Sequence, residues 1–259
     1  MDLDIYTTEM SKSVWDKAFF MDKIPGVKCV IDFGCADGAM MRYLSPLFPD
    51  IMFVGYDISD VLIERARKIP PFNANLIYFE GTRFSISELI TYVGDRFSSR
   101  EICINFSSVL HEVYSSIGGI STIKYLIDEL EPRFITIRDM YCDERLPFTT
   151  PTREEVWGPL PAGKTVEFEH AFGPTTDWRN MTHFLMKLQW VDNGWEREME
   201  EDYYSWTIEK FLDDIGGKYI PGFDCRYQLP YLSEKWKNEY GWYNPDIHTH
   251  AQFILRRED

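Results

Sequence analysis

Apolar residues fall along this chain in short β-branched runs separated by amphipathic stretches, the pattern of strands alternating with helices. The first run is Cys29-Val30-Ile31-Asp32-Phe33, and further runs cover 51–57, 75–79, 101–106, 134–140, 218–227 and 249–256, seven predicted strands in all. Between them, apolar positions recur every three or four residues over 39–44, 61–68, 86–93, 120–130 and 207–215, which predicts helices. Pro70-Pro71 ends one of these helices, and Gly118-Gly119 precedes another. A helix is also predicted over 11–23, where Val14, Trp15, Ala18, Phe19 and Phe20 share an apolar face that would lie on the sheet edge or over the mouth of a site. Tyr6 and Trp15 are the candidate ligand contacts in that region, with packing as the plainer role.

The alternation breaks after residue 140. Residues 141–206 separate the fifth strand from the next clear helix, and only 183–190 within them has a helical pattern. A connection of that length is usually functional, so it reads as a lid or an acceptor-recognition element. It carries prolines at 147, 151, 159 and 161, and the tryptophans Trp157, Trp178, Trp190 and Trp195. Such rings can stack on a planar acceptor or form a satellite core, and the core is the better reading for Trp190. A second aromatic segment, 229–242, joins the last two strands.

Composition narrows the class. A chain of 259 residues with 44% hydrophobic and 16% aromatic content can bury a full core, and one elaborated α/β domain fits that length. Forty-two acids against 27 bases give a net charge of −15, which disfavours broad contact with nucleic acid or an anionic membrane and leaves room for a local basic groove. Cysteines 29, 35, 103, 142 and 225 are dispersed, without a C-x-x-C pair or zinc-type spacing, and read as reduced thiols. The absence of a basic, apolar leader or of about 18 consecutive apolar residues predicts a cytoplasmic protein without a membrane span.

The chemistry concentrates where the first strand ends. Asp32 closes the apolar run, and Gly34 and Gly38 follow four residues apart before a helix-compatible stretch, the layout of a strand, a tight loop and a helix that hold a cofactor. A dinucleotide loop would offer amides to a pyrophosphate and needs G-x-G-x-x-G, matched here only weakly by Gly34, Ala36 and Ala39. Asp32 and Asp37 would repel a phosphate, whereas they suit an ammonium and a sulfonium, the charges of S-adenosylmethionine. Asp57, at the end of the second strand, can accept hydrogen bonds from both ribose hydroxyls, and Ser59 and Asp60 already open the next helix, so a capping role for Asp57 is less needed. Ile58 can cover one adenine face.

Val30-Ile31-Asp32-Phe33-Gly34-Cys35-Ala36-Asp37-Gly38 resembles the first motif of class I S-adenosylmethionine-dependent methyltransferases, D-x-G-x-G-x-G, with Ala36 at the middle glycine, a mild departure where the backbone is ordinary. That resemblance covers about 28–140 by motif and the remainder by strand count. It implies an α/β fold with a Rossmann-like, seven-stranded mixed sheet, helices on both faces and an aromatic-rich insertion after the fifth strand. The expected organisation is a single domain over 1–259: an N-terminal helical extension (1–27), a cofactor-binding half (28–140), the insertion (141–206), and a C-terminal helix and strand pair (207–259). The family often has an acid for the adenine amino group where Thr82 stands, and a hydroxyl or a carbonyl can accept the same bond.

The expected cofactor set is Asp32, Gly34, Cys35, Ala36 and Gly38 in the loop, Asp57 and Ile58, then Thr82, Arg83 and Phe84 after the third strand, and Asn105 and Phe106 at the end of the fourth. Ser108-Val109-Leu110-His111 is similar to the fourth motif of small-molecule enzymes, with Glu112 replacing a second histidine. His111 is the candidate base for a hydroxyl or amine, a loop-capping histidine is the alternative, and Glu112 and Asp139 stand next in line. No Asn-Pro-Pro-Tyr or Asp-Pro-Pro-Tyr follows the fourth strand, so the resemblance does not extend to DNA-amine enzymes. The lysine-aspartate-lysine-glutamate set of ribose methyltransferases is not evident either, with Asn105 and Arg138 on the rims where members would be expected. The resemblance therefore implies methyl transfer to an oxygen or nitrogen of a small-molecule acceptor, without a metal. An RNA-modifying enzyme and a non-catalytic S-adenosylmethionine-binding partner protein are the alternatives.

Overall fold

The computed structural model describes residues 13–69, 75–81, 83–116, 118–142, 160–189, 194–242 and 247–258, with the side chains of Arg83 and Phe84 outside that set. Strands β1 (Cys29–Phe33), β2 (Met52–Asp57), β3 (Leu76–Glu80), β4 (Ile102–Ser107), β5 (Phe134–Met140), β6 (Tyr219–Tyr227) and β7 (His250–Arg257) form one sheet. Their order is β3-β2-β1-β4-β5-β7-β6. The first five strands are parallel, and β7 lies antiparallel between β5 and β6. β1 and β4 are buried along their whole length, which is why they read as near-continuous apolar runs rather than alternating ones.

Helices cover both faces. Ile86, Leu89 and Val93 of helix Arg83–Gly94 pack with Ile123, Leu126 and Ile127 of helix Gly119–Leu130 and with Phe211 on one side of the sheet. Met40, Met41 and Leu44 of helix Ala39–Leu44 meet Ile63 and Ala66 of helix Asp60–Lys68 on the other. The predicted helix over 11–23 is a correction: among the described residues of that stretch helix covers only Val14–Lys17, and turns follow to residue 23. The turns carry Phe20, Ile24 and Val27 into the buried cluster that also holds Val30 of β1. Each such ring or branched side chain contributes about 1.5–3 kcal/mol by leaving water.

The insertion holds more helix than its sequence suggests, over Ala162–Phe172, Trp178–Gln189 and Trp195–Glu200. Together with helix Pro230–Tyr240, which begins on a proline and ends on Gly241 at φ +65°, it buries a third core around Phe168, Phe184, Tyr203, Leu232, Trp236 and Trp242. Trp206 fastens the C-terminal end of the insertion to the sheet: it is buried, and its Nε1 donates to the Met140 carbonyl at 3.1 Å. Among the described residues no helix is long and apolar enough to cross a membrane.

Candidate functional site

In an open parallel sheet the strand order reverses between β1 and β4, and ligands gather outside the strand ends at that point. The structure brings Asp32, Asp57, Ser107 and Asp139 to this rim, one from the end of each of four strands. A cavity there is lined by Asp32, Gly34, Cys35, Ala36 and Ser107, together with Lys17 from the N-terminal segment.

The loop is shaped by left-handed residues. Gly34 (φ +78°) and Gly38 (φ +74°) take conformations that a Cβ disfavours. Ala36 does so as well, at φ +50°, so the substitution at the middle glycine does not sit on ordinary backbone and carries about 1–2 kcal/mol of strain. Asp57 holds it in place. Its Oδ2 accepts from the Ala36 N–H at 2.7 Å and its Oδ1 from the Ser59 N–H at 2.8 Å, and each carboxylate oxygen has the capacity for a second bond. The helix cap is Ser59, whose hydroxyl accepts from Leu62 N–H, so Asp57 is indeed not needed for it. Ile58, beside Asp57, is 83% exposed and open to a ligand face.

Two parts of the expected charge pattern change. Asp37 is paired with Arg42 at 3.0 Å, so its charge is largely answered within the loop. Asp32 instead carries the negative field: burial pushes its carboxyl up to about 6, against the lowering effects of the Asn105 amide and of Lys17. Lys17 is itself buried, and burial followed by the nearby Arg138 charge brings it down to about 8.

The side chains of Asn105 and Phe106, both in the expected cofactor set, are fully buried. Asn105 donates to Asp32 Oδ1 at 2.8 Å and to Ser107 Oγ at 3.2 Å while accepting from Thr136 at 2.9 Å, which fixes the Asp32 carboxylate. Phe106 points to the opposite face, fully buried between Phe33 and Phe211, because side chains alternate along a strand. Thr82, the side chains of Arg83 and Phe84, Tyr6, Trp157 and Trp190 lie outside the described residues. Trp15 is exposed and edge-on to Tyr43. Trp178 packs on Trp242 and Trp195 on Phe184, so both serve the insertion's own core.

The second cluster joins the sheet to the insertion. Asp139 Oδ2 accepts from the N–H groups of Val109, Leu110 and His111 at 3.1, 2.6 and 3.3 Å, closing the turn into helix Leu110–Ser115. Its Oδ1 accepts from His111 Nδ1 at 2.7 Å and from Met140 N–H at 2.7 Å. Both Asp139 oxygens are thus engaged, and the residue has no exposed surface. His111 is buried too; its Nε2 faces Glu201 of the insertion at 3.7 Å, and its ring meets Tyr203 edge-on. Burial works to lower the imidazole's pKa, but the Asp139 carboxylate and Glu201 outweigh it and hold the ring protonated well above the usual range.

Glu112 and Glu201 share Arg197, at 3.3 and 3.2 Å. Donor atoms of His111, Glu112 and Glu201 lie within 4.8 Å of one another, with Arg197 already bridging the two carboxylates. Lys187, fully buried, grips the carbonyls of Glu198 and Glu201 and lies 4.1 Å from the Tyr203 ring centre, which fixes the segment that presents Glu201. Sequence reasoning missed Lys17, Lys187, Arg197 and Glu201. Only a charged residue interrupting an apolar helix face signalled Lys187; nothing local signalled the others.

No protein-family model and no curated protein matches the chain. Solved structures do. An S-adenosylmethionine-dependent methyltransferase from Anabaena variabilis is similar at 13% identity and a TM-score of 0.50, covering 100% of this chain and 96% of its own. The plantazolicin methyltransferase BamL, crystallised with a triazolic desmethylplantazolicin analogue and SAH, is similar at 14% identity and a TM-score of 0.52, covering 99% of this chain and 88% of its own. An S-adenosylmethionine-dependent methyltransferase from Mesorhizobium loti is similar at 13% identity and a TM-score of 0.50, covering 95% and 98%. The fold is that of class I S-adenosylmethionine-dependent methyltransferases.

Proposed function

We propose that this protein transfers a methyl group from S-adenosylmethionine to an oxygen or nitrogen of a small-molecule acceptor. The observation that carries the reading is the pairing of a left-handed glycine loop with Asp32 near the end of β1 and Asp57 at the end of the adjacent β2, beside the sheet's reversal point between β1 and β4. The residues fit that cofactor: Asp32 for its cationic end, the loop for close approach, and the remaining acceptor capacity of Asp57 for a ribose diol. When bound, the cofactor supplies an electrophilic methyl on a sulfonium, and displacement there needs alignment, exclusion of water and removal of one proton.

His111 and Asp139 hold the rim that faces the acceptor, and Glu112 takes the proton. Glu112 is partly exposed, and its carboxyl is raised above the usual range by burial and by its neighbour Glu201, which makes it a stronger base. Small-molecule methyl transfer also agrees with BamL, a fold neighbour crystallised with a natural-product analogue.

The direct test supplies methyl-labelled S-adenosylmethionine to the protein with metabolite fractions, and with RNA in parallel, and follows the label by mass spectrometry. Label in a small product supports the reading, label in RNA redirects it, and no transfer despite cofactor binding leaves a non-catalytic binder. Glu112→Gln is expected to slow single-turnover transfer by about 10²-fold with cofactor affinity unchanged. An undiminished rate would remove Glu112 from the chemistry.

Cofactor affinity should also depend on pH. Asp32 titrates near 6, and its ionised form attracts the cationic end, so affinity should fall about tenfold per unit as pH drops below 6 and level off above it. Calorimetry between pH 5 and 7, on the parent and on Asp32→Asn, checks this, since the variant should give a flat profile.

A further inference from the structure

Asp16 belongs to a helix of four residues, yet its side chain is held from three strands. Its carboxylate accepts from Arg138 Nε and Nη2 of β5, both at 2.6 Å, from the Tyr227 hydroxyl of β6 at 2.7 Å and from Gln252 Nε2 of β7 at 2.9 Å. The Asp16 carbonyl accepts a further bond from Gln252 at 3.0 Å. Ser107, Arg138 and Gln252 are register partners across β4, β5 and β7, so their side chains stand in one row on one face of the sheet. Val14 and Lys17, from the same short helix as Asp16, line the cavity that also holds Asp32, Gly34 and Ser107. The row therefore fixes one wall of that cavity to the sheet.

Arg138 reaches in the other direction as well. It is buried, its Nη1 donates to Ser108 Oγ at 3.0 Å, and its carbonyl accepts from the Ser108 N–H at 2.7 Å. Ser108 stands at φ +56°, a left-handed conformation that a side chain disfavours and that persists where the surroundings over-determine it. It opens the turn whose next three N–H groups, of Val109, Leu110 and His111, converge on Asp139. One guanidinium thus joins the wall of the cofactor cavity to the turn that presents His111 and Glu112. Such a buried, charge-assisted fork resists deformation, because moving either end leaves a buried charge without its acceptor.

Resting on the cofactor reading above, we propose that Arg138 is a positioning residue that couples the two halves of the site. A cofactor seated against the Val14–Lys17 wall holds Asp16 on Arg138, and Arg138 holds Ser108 in the left-handed form that sets the His111 turn. The acceptor side is completed when the cofactor is in place, and by linkage an ordered turn strengthens cofactor binding in return.

Hydrogen exchange read by mass spectrometry on the full chain, with and without saturating S-adenosylhomocysteine, tests the coupling. In the parent, ligand should slow exchange about tenfold or more in the loop over 34–38, the wall over 14–18 and the turn over 108–111. Asp16→Asn keeps the side chain's shape and removes its charge. At saturation its loop should stay protected as in the parent, while the ligand's effect on the turn should fall below about twofold. Arg138→Gln should do the same at the turn, and Asp16→Glu should restore part of the response. A merely structural role would speed exchange at the turn equally with and without ligand, and a ligand response kept at the parent's size in the folded variants overturns the proposal. A parent whose loop responds to ligand while its turn does not also overturns it. Where Arg138→Gln does not fold, Asp16→Asn decides, since it leaves the Arg138 bonds to Ser108 in place. A parent that responds nowhere and binds no ligand by calorimetry overturns the cofactor reading itself, and the proposal with it.

Discussion

His111→Ala is expected to destabilise the fold by about 3–5 kcal/mol, the cost of removing one partner from a buried ion pair. The ring lies between Asp139 at 2.7 Å and Glu201 at 3.7 Å, and it is the only link that reaches from the strand end to the insertion's carboxylate within this cluster of described residues. Its loss leaves Glu201 to Arg197 alone and opens a cavity against Tyr203. The effect should depend on pH in a stated direction. The folded imidazole's pKa is raised, so its contribution is complete below the ordinary value of about 6.5 and is lost as pH rises through the higher folded value. Asp139 and Glu201 are lowered by the same partner, against burial, so their contributions appear above the ordinary carboxylate range and fade as pH falls. The gap between parent and variant should therefore be widest from about pH 5 to 6.5 and narrow in alkali. Urea unfolding of both proteins across that range decides it, and a loss under about 1 kcal/mol would show that the pair carries little.

Gly34→Val should abolish cofactor binding, with an affinity loss greater than about 10²-fold, and should leave most secondary structure intact. A side chain there would fill cofactor space, and the structure adds a nearer obstacle. A Cβ at Gly34 would stand 2.7 Å from Val109 Cγ2 and 3.0 Å from Val109 Cβ. Val109 cannot step aside cheaply, because its N–H is bonded to Asp139 at 3.1 Å in the turn that closes the second cluster. A branched residue is also strained at φ +78°. The loop must then give way, and with it the Gly34 N–H bond to the Tyr56 carbonyl that sets its height above the sheet. Calorimetry with S-adenosylhomocysteine, alongside circular dichroism, separates the outcomes; a folded valine variant that still binds would return the loop to a packing role.

Much of the architecture was written locally. All seven strands and their βα alternation follow from apolar runs and turn residues, most plainly for β1 and β4, which are buried on both faces; the mixed sheet was what the family resemblance implied. The loop glycines and the acids at 32 and 57 were legible for the same kind of reason: a strand end, a tight turn and a carboxylate are adjacent in sequence as well as in space. What the sequence could not give is whatever depends on which residues meet across the sheet. Ala36 took a left-handed conformation because Asp57, 21 positions away, accepts its N–H. The predicted helix over 11–23 gives way to turns after Lys17, with Phe20 and Ile24 in the core and Asp16 bonded to Arg138 at a separation of 122 residues. Phe106 and Asn105, neighbours in the chain, went to opposite faces. Pairings of this kind, Asp16 with Arg138 and His111 with Glu201 among them, have no local signature, since charges and rings far apart in sequence meet only when tertiary packing makes burial without a partner too costly.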